Sequence, residues 1–438
     1  MYPAWQARSI DERAAIIEKI AELYTAHREE LIALCMHEGG KTLADSVSEI
    51  REAIDYCTYY AQMARYTLSP VSLPAVTGES NELTMQGRGV FFCISPWNFP
   101  LAIFTGQVVA ALVAGNSVIA KPAEQTPAVA LRAVQLMHES GVPKGVLSLL
   151  TGDGATIGSY VLQDDRLAGV VFTGSTETAR RINLQLASRE GEILPFIAET
   201  GGQNCMIVDS SALLEHAVDD IITSAFGSAG QRCSALRVLY VQHDIADSLI
   251  TLLVGAMKEI TNGDPLDLTI DMGSVIDSEA HKRLARHAQM MTSKAKLIYA
   301  GEFNTKGCFF PPHAFEITSI DELSGEVFGP VLHVIRYHAA DIDKVIEEIN
   351  STGYGLTFGV HSRIEEKINL LRSRIHAGNF YVNRSMTGAV VGLQPFGGEG
   401  LSGTGPKAGG PHYLLRFCKE RTVTVNTAAV GGNLELYR

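Results

Sequence analysis

The residues of this chain that can do covalent chemistry gather in short glycine-flanked blocks, and the most pointed of these is Gly227-Ser228-Ala229-Gly230-Gln231-Arg232-Cys233-Ser234-Ala235. A cysteine stands there among small neighbours that leave room for a substrate carbon to approach the sulfur. An amphipathic stretch (Leu214 to Phe226) precedes it and an apolar one (Leu236 to Val241) follows. Loops held by rigid elements commonly carry chemistry, and a thiol is intrinsically nucleophilic even when mostly protonated. Cys233 is the candidate nucleophile. A free cysteine also packs well as a small buried hydrophobe, and that is the reading for Cys35, Cys57, Cys93, Cys205, Cys308 and Cys418.

Four further blocks have side chains suited to a site. In Ser95-Pro96-Trp97-Asn98-Phe99-Pro100 an asparagine fixed between two prolines is either a stiff amide donor for an oxyanion or the head of a turn. Lys121-Pro122-Ala123-Glu124-Gln125-Thr126-Pro127 sets a lysine and an acid at a strand end, able to bind ribose hydroxyls or to form a surface ion pair. Gly152-Asp153-Gly154-Ala155-Thr156-Ile157-Gly158 opens a helix with glycines that let backbone approach a nucleotide, or that simply make a sharp turn. Phe172-Thr173-Gly174-Ser175-Thr176-Glu177 has the same logic, Ser175 being either a phosphate donor or a plain N-cap.

The elements that must hold these blocks can be read from periodicity. Ser9-x-x-Glu12 is a capping box opening a helix that runs to about His37, and a second helix covers Thr42 to Tyr66. Ser69 to Glu79 is a breaker segment and Glu82 to Ser95 is extended. Helices Leu101 to Ala114, Thr126 to Ser140, Ala155 to Gln163 and Thr176 to Arg189 then alternate with strands Ser117 to Ala120, Val146 to Leu150, Gly169 to Phe172 and Leu194 to Ile197. This alternation predicts a parallel sheet covered on both faces, with ligands at the carboxyl ends of its strands. A second alternating region begins with strand Cys205 to Val208. It continues through helices Ile245 to Ile260 and Ser278 to Ser293, strand Lys296 to Ala300, and a less regular stretch to Ile335. Helix Ile342 to Asn350, strand Leu356 to Val360, helix Glu365 to Ile375 and strand Asn379 to Val382 close it. The β-prone tail Thr422 to Ala428 is expected to pair with the early Glu82 strand or with another subunit.

Composition narrows the function classes. With 438 residues, 46% hydrophobic and 19% charged, the chain suits two or three buried globular domains. A formal net charge of −12 argues against a general nucleic-acid binder. Seven scattered cysteines without a Cys-x-x-Cys pair indicate a reducing compartment. There is no signal-peptide pattern, and the longest apolar run, within Gln107 to Ala120, is too short for the ~20 residues a membrane helix needs, so a cytoplasmic location is expected. The 13 histidines never form His-Glu-x-x-His, and no metal site is expected. The abrupt opening suggests a chain that begins inside a longer polypeptide.

Taken in order, Pro-Trp-Asn-Phe-Pro, Lys-Pro-x-Glu-Gln-Thr-Pro, Phe-Thr-Gly-Ser-Thr, Glu-Thr-Gly-Gly, Gly-Gln-Arg-Cys, Glu-Val-Phe-Gly-Pro and Pro-Phe-Gly-Gly resemble the aldehyde dehydrogenase superfamily over essentially the whole chain. Glu199-Thr200-Gly201-Gly202, the run from Gly230 to Arg237 and the run from Asn383 to Gly392 resemble the L-glutamate γ-semialdehyde (pyrroline-5-carboxylate) dehydrogenase module of bifunctional proline utilisation A proteins. The resemblance implies an α/β fold with a Rossmann-like NAD-binding domain (residues 1–68 and 88–201), an α/β catalytic domain (202–420) and a small β oligomerisation flap (69–87 and 421–438).

It also implies roles. Cys233 is the nucleophile, Glu199, 34 residues before it, the general base, and Asn98 with the Cys233 N–H the oxyanion donors. Ser95, Pro96, Trp97, Lys121, Ala123, Glu124, Gly154, Gly174, Ser175, Thr200, Gly201, Glu326 and Phe328 are the expected NAD contacts. Ser234 with the Gly388 and Ala389 backbone anchors a substrate carboxylate, and Phe99 and Phe396 wall its aliphatic stem. Ala179 stands where the family often has glycine, a harmless exchange on a helix. The implied reaction is NAD-dependent oxidation of L-glutamate γ-semialdehyde to L-glutamate. The implied partners are a second copy of the chain, as a dimer or higher oligomer, and a proline dehydrogenase domain in a longer native chain. Another aldehyde such as succinate semialdehyde, or a catalytically silent binding protein of the same fold, are the alternative readings.

Overall fold

The computed structural model describes residues 2–302 and 307–430. The chain opens with a short helix α1 (Tyr2–Gln6), then α2 (Ile10–Ala26), started by the Ser9–Glu12 capping box. The single helix expected from Ser9 to His37 is in fact two, because His27 leaves helical geometry (φ −105°, ψ 19°) and α3 (Arg28–Gly39) starts afresh. Periodicity hides this break: the buried residues Ile17, Tyr24 and Leu31 keep a seven-residue spacing straight through it. Helix α4 (Leu43–Thr67) is capped by Thr42, whose hydroxyl accepts from the Asp45 N–H.

Strands β1 (Val71–Leu73) and β2 (Glu79–Gly87) follow, and then the first parallel sheet: β3 (Val90–Ile94), β4 (Ser117–Lys121), β5 (Leu147–Leu149), β6 (Leu167–Thr173) and β7 (Phe196–Glu199). Its spatial order is β5-β4-β3-β6-β7. Helices α5 (Ala102–Val113), α6 (Pro127–Glu139), α7 (Gly154–Val161) and α8 (Thr176–Ala187) cross over between strands. Helix α5 is apolar all round and buried through almost its whole length, as a helix between a sheet and the N-terminal helices must be.

The second sheet draws on β8 (Cys205–Val208), β9 (Val238–Gln242), β10 (Lys296–Ala300), β11 (His313–Glu316), β12 (Val331–Tyr337), β14 (Thr357–His361) and β15 (Asn379–Val382), in the order β10-β11-β12-β9-β8-β14-β15. All its pairings are parallel except β10 with β11. Helices α9 (Leu214–Phe226), α10 (His243–Glu259), α11 (Ser278–Lys294), α12 (Ile342–Ser351) and α13 (Glu365–Arg374) accompany it. Strands β11 and β12 occupy the stretch expected to be irregular. A four-residue strand behind Pro311-Pro312, and one whose apolar run is interrupted by His333, do not announce themselves locally. Between β13 (Tyr354–Gly355) and β16 (Glu399–Gly400) there is a short antiparallel pairing.

Finally β17 (Cys418–Asn426) returns to β2, pairing from Cys418–Gly87 to Asn426–Glu79. The tail thus pairs with the early strand of its own chain. With β1 it makes a separate three-stranded sheet; residues 431–438, which the flap reading included, lie outside the described residues. Among the described residues no helix is long and apolar enough to cross a membrane.

Candidate active site

The nucleophile loop is set by a left-handed turn. Ser228 and Ala229 have φ of 55° and 54°, followed by Gly230 at 63°. Left-handed backbone disfavours a Cβ by roughly 1–2 kcal/mol per residue, and strain of this kind gathers at functional sites. Gly230 admits no other residue, since a Cβ there would stand 2.2 Å from the Gly329 carbonyl oxygen. Beyond the turn, Cys233 is half-buried on a pocket wall; Cys308 is half-buried as well, and the other five cysteines are buried. Burial, then the Glu326, Glu199 and Glu52 carboxylates, push the Cys233 thiol up to about 12, with Arg237 opposing them. The resting sulfur is a protonated thiol that has to lose its proton on attack.

Glu199 ends β7 and faces the same pocket. Its Oε2 accepts from the Gly398 N–H at 3.1 Å, and its Oε1, buried, has no protein partner. Two glycines crowd it: a Cβ on Gly397 would meet Oε1 at 2.7 Å and one on Gly403 would meet Oε2 at 3.0 Å. The glycine-rich segment after Phe396 is therefore a wall fitted around one carboxylate. Burial holds Glu199 well above the usual carboxylate range, the Gly398 N–H and the Lys407 ammonium drawing it only part of the way back.

The pocket that Cys233 and Glu199 share is also lined by Phe99, Ser234, Gly388, Ala389 and Phe396, so every expected substrate contact lies on it. Thr200 lines it too. Asn98 does not. Its side chain sits in an adjoining crevice with Lys41, Asp45 and Trp97, and its Nδ2 donates to the Gln231 carbonyl at 3.0 Å, two residues before the sulfur. Sequence reasoning missed several wall residues: Glu52 and Tyr56 from α4, Gln107 from α5, Arg232 and Tyr413. Burial and the neighbouring Glu49 raise Glu52 to about 7, against Arg232, Lys41 and Tyr56. Phe99, the expected aromatic wall, lies beneath two cations, Lys41 at 4.5 Å and Arg232 at 5.8 Å.

The expected cofactor contacts gather at the carboxyl ends of the first sheet: Ser95 to Trp97 after β3, Lys121 to Glu124 after β4, Gly154 at the start of α7, Gly174 and Ser175 after β6, Thr200 and Gly201 after β7. Glu124 Oε1 accepts from the Gly154 N–H at 2.5 Å and from Lys121 Nζ at 3.2 Å. The backbone here is bare by necessity. A Cβ on Gly154 would crowd Glu124, one on Gly174 would meet the Phe172 ring at 2.6 Å, and one on Gly201 would meet Glu326 Oε2 at 1.8 Å. Ser175 caps α8 through the Thr178 N–H. From the second sheet's side, Phe328 stands edge-on to Trp97 at 5.6 Å, and Glu326 pairs with the buried Arg237 at 3.0 Å. An open-sheet crevice with bare glycine turns and an acid at a strand end fits an extended dinucleotide.

Comparison with known proteins gives the family. Residues 1–423 match the family model described as the aldehyde dehydrogenase family. The chain is 51% identical over 430 residues to the bifunctional protein PutA of Klebsiella aerogenes, covering 96% of this chain and 32% of that protein. It is 36% identical to the 1-pyrroline-5-carboxylate dehydrogenase of Geobacillus sp. (strain WCH70), with 96% of this chain and 82% of that one aligned. Among solved structures, a bifunctional proline utilization A protein superposes with a TM-score of 0.97 at 57% identity, covering 98% of this chain and 44% of that one. A 1-pyrroline-5-carboxylate dehydrogenase from Thermus with bound NAD gives 0.93 at 33% identity, covering 97% and 83%. The chain thus spans about a third of the length of the bifunctional PutA relatives it matches.

Proposed function

This chain belongs to the aldehyde dehydrogenase family, and from that premise we propose that it oxidises L-glutamate γ-semialdehyde, the open form of 1-pyrroline-5-carboxylate, to L-glutamate with NAD⁺. One observation carries the reading: Cys233 and Glu199 open onto one pocket whose walls include Ser234, Gly388, Ala389, Phe99 and Phe396. The pocket offers a nucleophile, a carboxylate base, aromatic rings and small polar donors for a carboxylate.

The chain's own groups divide the work. Cys233 loses its thiol proton to water in the pocket as sulfur bonds to the aldehyde carbon, and the carbonyl oxygen becomes an oxyanion facing the Cys233 N–H; Asn98 joins as second donor by turning its amide from the Gln231 carbonyl into the pocket. Lys121, Glu124, Gly154, Gly174, Ser175 and Glu326 would hold the dinucleotide, with Glu124 the acid that would accept from a ribose hydroxyl. NAD⁺, when bound, supplies the acceptor for the hydride that turns the thiohemiacetal into a thioester. Glu199 then takes a proton from water as the water oxygen adds to the thioester carbon, and it passes that proton to the sulfur as the C–S bond breaks and L-glutamate is released. Its glycine wall keeps Glu199 desolvated and therefore basic enough for that task.

At the level of domains we assign NAD binding to residues 1–68 and 88–201, catalysis to 202–420, and self-association to the β1-β2-β17 sheet. We also place the chain beside a proline dehydrogenase unit, as the shared third of its bifunctional relatives suggests. The test is NADH formation from NAD⁺ and L-glutamate γ-semialdehyde, set beside succinate semialdehyde. Cys233→Ser should form no NADH while binding NAD⁺ with unchanged affinity by calorimetry. Turnover retained in that variant removes Cys233 from the mechanism.

A further inference from the structure

The backbone around Cys233 is gripped from outside. Every carbonyl from Gly230 to Ala235 accepts a hydrogen bond from a side chain: Gly230 from Arg237 Nη1 at 2.6 Å, Gln231 from Asn98 Nδ2 at 3.0 Å, and Arg232 from Arg237 Nη2 at 3.0 Å. Cys233 and Ala235 accept from Asn204 Nδ2 at 2.6 and 2.9 Å, and Ser234 accepts from Thr357 Oγ1 at 3.2 Å. In a trans peptide the C=O and the N–H point to opposite sides. The Arg232 carbonyl, which also accepts the Ala235 N–H at 3.1 Å, is turned onto the guanidinium, and the Cys233 N–H therefore points away from it. Among the described residues that N–H donates to no protein acceptor.

Arg237 is the member of this ring that reaches furthest. It is 1% exposed, four residues after the sulfur, and holds two alternate carbonyls of the loop. The same Nη2 pairs with Glu326 at 3.0 Å, Nη1 also reaches the Gly329 carbonyl at 3.3 Å, and the cation lies 5.1 Å over the Phe328 ring. One planar fork thus ties the nucleophile loop to the Glu326–Gly329 segment. It also closes off the left-handed turn through Ser228, Ala229 and Gly230, a conformation that needs outside support to persist. An ammonium at the same place lacks the fork geometry to serve both carbonyls and the carboxylate together.

We propose that Arg237 is a positioning residue of the reaction: by holding the Arg232 carbonyl it aims the Cys233 N–H at the oxyanion that forms on the substrate, and it locks that donor to the segment carrying Glu326. The inference rests on the thiol mechanism proposed above. It separates Arg237 from a merely structural clamp, because a misdirected N–H harms the step that makes an oxyanion and leaves direct alkylation of the sulfur alone.

The experiment uses Arg237→Lys, which keeps the charge beside Cys233 and Glu326. Expected is a kcat for L-glutamate γ-semialdehyde lowered about 100-fold, the loss typical of one oxyanion donor. The aldehyde KM and the iodoacetamide alkylation rate of Cys233 should both stay within about threefold of the parent, the split that marks an interaction made only in the transition state. An unchanged kcat, or a KM and alkylation rate that fall away in step with kcat, overturns the proposal. Should the variant not fold, the wild-type protein crystallised with the aldehyde and without NAD⁺ decides it. The adduct oxygen must lie on the Cys233 N–H with the Arg232 carbonyl still on the guanidinium, and an adduct oxygen turned elsewhere overturns it. A wild-type protein that forms no NADH sinks the functional reading itself, whereas an active wild type beside an unimpaired Arg237→Lys sinks only this inference.

Discussion

Two carboxylates in the pocket titrate away from their ordinary range, and they act on different parts of the kinetics. Glu199 is held high by burial, so its basic form appears only as pH rises past the usual carboxylate range. Thioester hydrolysis should accelerate with pH through that titration. Glu199→Gln should release about one NADH per active thiol and then stall, a burst visible in stopped flow. Steady turnover without a burst in that variant would assign the base elsewhere. Glu52, raised to about 7, is mostly a carboxylate only above that pH, and it lines the same pocket as the small polar groups suited to the substrate's α-carboxylate. A carboxylate there can pair with the α-ammonium. Because kcat/KM reports groups of the free enzyme, it should rise as pH passes about 7. Glu52→Gln should flatten this rise and lower kcat/KM about tenfold, the worth of one charge-assisted hydrogen bond. The effect should vanish for an aldehyde of the same length without the amino group. Nothing in the sequence around Glu52, inside the helix read from Thr42 to Tyr66, marks it as a site residue. Only packing of α4 against α5 brings Glu52 onto the pocket that Cys233 lines.

Helix α4 shows how much an element contributes beyond its span. Its Glu49 is fully buried, accepts the Leu101 and Ala102 N–H groups at 2.8 and 3.2 Å, and pairs with Lys41 at 2.5 Å. It thereby caps α5 from the side, where neither Leu101 nor its neighbours supply a cap of their own. Glu49→Ala leaves an ammonium buried without its partner, so unfolding in urea should show a loss of about 3–5 kcal/mol. A loss under about 1 kcal/mol, the scale of an exposed pair, would mean that water reaches Lys41. The alternating helices and strands of the first sheet were legible because each is a clean periodic segment between glycine or proline breaks. What was not legible needed tertiary information: the kink at His27 inside an unbroken apolar stripe, and β11 and β12, recognisable as strands only once β9 and β10 lie beside them. The site blocks were legible as a series because their types and order are specific. Their geometry was not: Asn98 points its amide at the Gln231 carbonyl, and no spacing along the chain foretells that contact.

At the scale of the whole molecule, the β1-β2-β17 sheet is the part with least reason to stand alone. Three strands are near the lower limit for an independently stable sheet, and β1 and β17 are exposed along nearly all their length. Registers place Val71, Leu83 and Thr422 on one face and Val423 and Val425 on the other, so apolar side chains point both ways. Among the described residues, nothing pairs with the second edge of β17, a nine-residue strand. Lys419, Glu420 and Arg421 put charge on the first half of this edge, but Thr422 to Val425 carries neither charge nor proline, and an edge of that kind invites another strand. Association of two copies through this sheet follows from the reading proposed above. Lysines introduced as Val423→Lys and Val425→Lys put like charges where two such sheets meet, so sedimentation velocity should show the assembly falling to single chains. The NADH-forming rate per chain should change less than about twofold, as expected for surface substitutions away from the pocket. An assembly that survives both lysines would move the contact to another face, while a per-chain rate that collapses on dissociation would mean that the neighbouring copy helps to build the site.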